Sequence, residues 1–356
     1  MRIVIATILF FGSTSSLMAQ KDTTKPLQEV VVFANKFPTP SKNIVQTIGL
    51  ITDKNLIQQQ ANTADILIAS GQVFVQKSQS GGGSPVIRGF EASRVLLMVD
   101  GVRMNSAIFR AGHLQNIITV DNMILDRVEI LYGPSSTMYG SDALGGVVSM
   151  FTKNPVLNTT EHWKTTGNAV YRFASGQNEQ RQHVDVNIAN NKWAYLTSFT
   201  NSNFGDLRQG NNRLSAYPDF GKRLFYVTRE NGMDIVNNNS SKVNIQKSTG
   251  YSQTDLLQKI IFRPNENTEH LVNIQLSNSS AYNRYDRLTE TAANGMPSFA
   301  EWYYGPQVRN MVGYKLSKTN LKGYFQELAL NTNYQHLEES RISRRFNSNN
   351  KDFRFE

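Results

Sequence analysis

The sequence predicts an α+β domain followed by the strands of an antiparallel transmembrane β-barrel. Three observations carry this reading: an export-like N-terminus, a stretch to residue 154 in which helical and strand periodicities alternate between glycine-rich turns, and a switch after Pro155 to two-residue alternation over segments of about ten positions.

The first twenty residues set the compartment. Arg2 precedes the apolar stretch Ile3 to Phe11, then small and polar residues, then Leu17-Met18-Ala19 before Gln20-Lys21-Asp22. That order matches a secretory signal cleaved after Ala19, and the apolar stretch is far shorter than the ~20 residues a helix needs to cross a bilayer. No later apolar run has membrane-helix length, which excludes a helical membrane protein. Cysteine is absent, so disulfides, thiolate metal sites, thiol catalysis and a lipidated N-terminal Cys are all excluded. The formal charge of +9 comes from 37 basic residues scattered among Asn, Gln and Ser, a solvated surface suited to anionic lipid rather than a nucleic-acid patch.

Lys21 to Pro26 is charged and patternless, and Leu27 to Val32 is a brief β-prone run that Pro38 and Pro40 break. A lone strand between such flanks suits pairing with a partner's sheet edge. From Ile44 to Gly71 the spacing of Leu56, Ile57, Ala61, Ala64, Leu67 and Ile68 predicts helix. Strands are expected at Val73-Phe74-Val75, at Val86 to Phe90, at Arg94 to Val99 closed by the Asp100-Gly101 turn, at Leu125 to Tyr132 and at Val147 to Thr152.

Beyond Pro155, Val184, Val186 and Ile188 alternate with Asp185, Asn187 and Ala189, and Trp193, Tyr195, Thr197 and Phe199 share one face. Leu271 to Leu276, Met311 to Leu316 and Gly323 to Tyr334 continue the pattern. Roughly six to eight strands are expected, with the polar stretches Asn203 to Tyr251 and Arg284 to Glu301 as long external loops. A soluble β-sandwich also alternates, and the export signal weighs against it. Too few strands are present to close a barrel, so a fragment or truncated product is expected. The division is residues 1–19 as signal, 20–40 as N-terminal segment, 41–154 as α+β domain and 155–356 as the first barrel strands.

Four motifs in order, Ser84 to Phe90, Val95 to Gly101, Arg127 to Pro134 and Tyr139 to Val147, resemble the plug domain of TonB-dependent outer-membrane receptors, a resemblance that covers residues 28 to 154. Residues 155–356 resemble the family's barrel by texture alone. The resemblance implies a 22-stranded barrel in full-length members and a cell outer-membrane location reached through the periplasm. It also implies a TonB box at Glu29, Val30, Val31, Val32, Phe33 and Ala34 that the inner-membrane TonB energy-transducing complex captures. Arg88, Arg127 and Glu129 then become charges that lock plug to barrel, the alternative being plain surface charge.

The resemblance further implies ligand binding between plug apices and external loops. Arg103 to Leu114 is similar to plugs of haem and haemoglobin receptors of Bacteroidetes type, making Arg103, Asn105, Phe109, Arg110 and His113 candidate apex residues. His113 is the candidate ligand for haem iron, neutral imidazole being a common iron ligand, with a plain surface histidine as the alternative. The short segment before the box leaves no room for the extra domain of carbohydrate importers, which favours haem, a haem protein or a ferric siderophore as transported ligand. No resident cofactor is required. A structural barrel or adhesin, and a receptor for cobalamin or an oligosaccharide, remain the rival readings. No nucleophile or metal motif has convincing spacing, so an enzyme is not expected.

Overall fold

The computed structural model describes residues 31–32, 39–40, 44, 46–104 and 116–355. The expected signal, Glu29, Val30, Phe33 and Ala34, and the candidate apex residues Asn105, Phe109, Arg110 and His113 lie outside the described residues. Of the N-terminal segment, β1 (Val31–Val32) pairs antiparallel with β2 (Thr39–Pro40).

Residues expected to be helical from Ile44 onward begin instead as a strand, β3 (Ile48–Ile51), because alternating Ile48 and Leu50 add to a sheet edge before any cap residue occurs. Helix starts only where caps supply it. Asp53 accepts from the amides of Asn55 and Leu56 at 2.9 and 3.3 Å to open α1 (Lys54–Gln59), and Asn62 accepts from Asp65 at 3.1 Å to open α2 (Thr63–Ala69). Next come β4 (Phe74–Gln76) and β5 (Ser84–Val86), which pair with each other.

The expected strand over Val86 to Phe90 stops at Val86. Ile87 and Phe90 exchange two backbone hydrogen bonds of 2.9 Å around Arg88 (φ 51°) and Gly89 (φ 82°), a tight turn whose positive φ angles no strand can hold. β6 (Val95–Val99) and β7 (Val102–Arg103) form a hairpin whose turn is Asp100-Gly101, both at positive φ, as expected for that dipeptide. β8 (Leu125–Tyr132), the single-turn α3 (Ser136–Tyr139) and β9 (Gly146–Thr152) complete a five-stranded sheet of order β3-β8-β9-β6-β7. β6 is buried at every position, between α1 and α2 on one side and a smaller apolar cluster around Leu131 and Val147 on the other.

Behind this domain stands a seven-stranded antiparallel wall: β10 (Lys164–Ala174), β11 (Glu179–Ala189), β12 (Trp193–Phe204), β17 (Tyr251–Asn265), β18 (Thr268–Ser279), β21 (Val308–Lys318) and β22 (Leu328–Glu338). The last strand starts at Leu328 rather than near Gly323. Residues 190–192 and 266–267 are short turns at one end; 205–250 and 280–307 are long loops at the other. The first long loop carries β13 (Leu207–Arg208), the hairpin β14 (Phe225–Glu230) and β15 (Met233–Asn238), and β16 (Ile245–Gln246). The second carries β19 (Tyr282–Asn283), α4 (Tyr285–Leu288) and β20 (Phe299–Tyr304). These join β23 (Ser340–Arg345) and β24 (Lys351–Phe355) in a second sheet at the long-loop end.

The wall has two faces of opposite character. Val184, Ile188, Phe199, Leu276 and Val312 are exposed on one, while Arg181, His183, Thr200, Asp255, Lys259 and Gln275 are buried on the other. At the short-turn end the apolar face carries an aromatic row. Trp163, Tyr195, Trp193, Phe262, His270 and Tyr314 follow one another across strands at centroid spacings from 4.2 to 6.1 Å, as expected of a bilayer interface.

Candidate functional site

The polar face of the wall is buried because the N-terminal domain covers it, and the seam between them is the candidate site. Its first knot is Asp100, which the hairpin turn presents to the wall. The carboxylate accepts from the Thr152 amide (2.9 Å) and hydroxyl (2.6 Å) within the domain, and from Asn273 (2.8 Å) and Gln275 (2.9 Å) on β18. Lys259 of β17 stands 3.2 Å away and also donates to Asn154 at 2.8 Å. Burial pushes the Asp100 carboxyl up, but the Lys259 ammonium and the Thr152 and Asn273 donors outweigh it and hold the group below its ordinary value.

The second knot closes a helix end. The last carbonyls of α1 have no partners within the helix, and two arginines from the wall supply them. Arg172 donates to Gln59 (2.6 Å) and Gln60 (3.3 Å), while Arg181 donates to Ala61 and to the Asn122 side chain (2.8 Å). Cations here also complement the negative end of the helix dipole. Asn122 itself donates to the carbonyls of Ile57 and Gln60 at 2.8 and 2.9 Å.

Between these knots runs a chain of side chains. Thr200 meets Asp121 at 2.5 Å and His183 at 2.7 Å; His183 meets Asp185 at 3.1 Å, and Asp185 meets Lys153 at 2.9 Å. Gln253 reaches the Ile118 carbonyl at 2.8 Å.

Toward the long-loop end, the glycine-rich loop after β4 touches the outer loops. Gln79 bridges to Arg284, Ser80 bonds Gln177, and the Tyr285 hydroxyl donates to the Lys77 carbonyl at 3.5 Å. Gly81 packs so closely that a Cβ there would collide with Ile118 and approach the Tyr251 ring to 3.3 Å. Ile118 sits in a cluster with Phe204, Tyr251, Tyr282, Trp302 and Tyr304, an aromatic floor beneath the loops.

The described residues singled out from sequence make the following contacts. Arg127 and Glu129 pair with each other at 2.8 Å on β8, with Arg127 also over the Phe151 ring at 4.1 Å. Arg88 lies 5.7 Å from the centre of the Tyr132 ring. Arg103 pairs with Asp142, and its carbonyl accepts from Gln335 of β22 at 2.9 Å. The sequence reading did not name Asp100, Asp121, Arg172, Arg181, Lys259 or the loop from Lys77 to Gly83 as site residues. A charged residue at an inward position of an alternating strand was the available signal for Arg181 and Lys259.

Residues 40–147 match the TonB-dependent Receptor Plug Domain. The chain is 38% identical over 156 residues to the vitamin B12 transporter BtuB of Vibrio vulnificus (strain CMCP6), covering 42% of this chain and 24% of that one. Among solved structures it is similar to the copper transporter OprC (TM-score 0.59, 12% identity, 83% of this chain and 38% of that chain). It is also similar to the ferric enterobactin receptor of Pseudomonas aeruginosa (TM-score 0.58, 15% identity, 92% and 46%). The chain thus spans less than half the length of these relatives.

Proposed function

Starting from a chain that carries the plug of a TonB-dependent receptor and strands of its outer-membrane barrel, we propose that it serves ligand-gated, energy-coupled uptake through the outer membrane. The family consists of transporter receptors rather than enzymes, and no covalent chemistry is part of the proposal. The supporting observation is the seam. The plug meets the wall through side-chain hydrogen bonds and ion pairs centred on Asp100, Asp121, Arg172, Arg181 and Lys259, contacts that water can replace one at a time. In this reading those residues, with Arg88, Arg127 and Glu129 as further locking charges, hold the plug to the barrel until the TonB complex pulls on Glu29 to Ala34.

The chain has no cysteine, so an introduced pair is unambiguous. Asp121→Cys and Thr200→Cys joined by a short thiol-reactive bridge should abolish uptake and spare ligand binding, with reduction restoring transport; undiminished uptake through the bridged protein rejects the moving plug. Val31→Pro should likewise separate binding from uptake by blocking strand pairing.

For the ligand, we propose an iron complex, haem or a ferric siderophore, received at the plug apex by Arg103, Asn105, Phe109, Arg110 and His113. The match to a vitamin B12 transporter favours cobalamin as the second reading. Titrating haem, ferric enterobactin and cyanocobalamin separately into the purified protein decides between them. Haem absorbance unchanged by His113→Ala would remove that residue as an iron ligand.

A further inference from the structure

The first long loop contains a buried cation that the uptake reading does not use. Arg223 is only 3% exposed, and neither Nε nor Nη1 of its guanidinium has a hydrogen-bond partner. It makes no ion pair among the described residues. Asp206, the carboxylate that acts on it from a distance, accepts through one oxygen from the amides of Thr249 (2.8 Å) and Gly250 (3.1 Å).

The position is fixed rather than incidental. The Arg223 amide donates to the Val243 carbonyl at 2.7 Å, and its own carbonyl accepts from the Asn239 side chain at 2.9 Å. Asn239 is itself buried and also ties Lys242. Burial pushes the guanidinium down to about 10, so it remains charged at neutral pH. Its guanidinium lies 5.8 Å from the centre of the Phe225 ring, but no carboxylate pairs with it, and a buried charge without a counter-ion is costly.

Arg223 lines a cavity of about 330 Å³ between this loop and β19–β20, at the small end of the range of ligand pockets. Tyr226 and Tyr303 line the same space. Glu301 also borders it, but its charge is spent on Arg344 (2.8 Å) and Lys351 (2.7 Å). Arg344 in turn makes a two-pronged bond to Asp234 at 2.7 and 2.8 Å, so these neighbouring charges are matched to one another rather than to Arg223.

We propose that this loop cavity is a binding site for a small oxyanion, a carboxylate or phosphate group, held by the Arg223 guanidinium with the Tyr226 and Tyr303 hydroxyls as further donors. A planar guanidinium fork matches the two oxygens of either group. The site lies behind β20, on the side of Tyr303 and Glu301; Trp302 and Tyr304 on the opposite side join the aromatic floor, with which the cavity shares Leu288 and Phe299.

The test is calorimetric titration of the full chain in neutral detergent with inorganic phosphate and with citrate, beside binding to vesicles with and without a phosphate-bearing anionic lipid. Wild type should bind, and Arg223→Gln should weaken binding by about tenfold or more, the usual size for a charged hydrogen bond. Arg223→Lys, which keeps the charge and loses the fork, and Tyr303→Phe should each fall between. Strand circular dichroism and slow exchange of the Asn239 amide report that the loop is intact; if Arg223→Gln disturbs either, Arg223→Lys and Tyr303→Phe carry the test. Arg223-dependent binding of the free anions assigns a soluble ligand, and Arg223-dependent binding of the lipid vesicles alone assigns a headgroup. Absence of binding by wild type, or binding indifferent to these substitutions, overturns the site.

Discussion

The inside of the plug and its border with the wall mix apolar and polar contacts in different proportions. Inside, Val95, Leu97, Val99, Val128, Ile130, Val148 and Met150 meet in a fully buried aliphatic core, held by apolar area that is recovered only if the whole domain stays together. At the border, Asp100, Asp121, Arg172, Arg181 and Lys259 make discrete polar contacts that can be exchanged for water singly. The difference teaches that the polar contacts are concentrated at the border, where Ile124 with Leu196 and Leu257, and Met311 against the core, add only smaller apolar contacts.

The sharpest way to break this contrast is at Lys259. Lys259→Ala leaves the Asp100 carboxylate buried without its cation and should weaken the docked state by about 3–5 kcal/mol, read as plug release at lower urea. The double variant with Asp100→Asn should recover much of the loss; equal damage in the double variant would mean that the pair is not what holds the seam. Leu97→Ala should cost about 2–5 kcal/mol through a cavity, but as faster exchange throughout β6 and β9 rather than as release. Asp53→Ala should cost about 1 kcal/mol and fray only the start of α1, seen in the amides of Asn55 and Leu56.

The smallest effect at neutral pH is acid sensitivity. Because the Asp100 carboxyl is held below its ordinary value in the docked state, its contribution is complete above that ordinary value and disappears as pH falls through the lowered one. Exchange of the Thr152 amide, which donates to Asp100 at 2.9 Å, should therefore stay slow through mildly acidic pH and accelerate only in strong acid. Acceleration near neutrality would contradict the ion pair.

What was legible in the sequence was local. The hydrophobic runs of β6, β8 and β9, the Asp100-Gly101 turn and the alternation of β11 and β12 were all readable, because periodicity and turn chemistry act over a few residues. Ile48 to Ile51 was read as helix because four residues added to a sheet edge carry too short a pattern, and Arg88 was read as strand because its turn depends on two consecutive positive φ angles. The seam was not legible. Asp100 finds Asn273 and Gln275 at sequence separations of 173 and 175, and alternation says that a side chain faces inward without saying what it meets there.

The wall arginines on α1 also bear on the order in which the molecule can be assembled. The α1 carbonyls wait for Arg172 and Arg181, which sit on β10 and β11, the first hairpin made after the plug. Their separations, 112 to 121 residues, are smaller than any later wall strand could offer to this helix, and ring closure grows more costly with separation, if slowly. The opening hairpin can thus seat on the finished N-terminal domain before later strands arrive, and that domain becomes the template on which the first staves of the wall are laid.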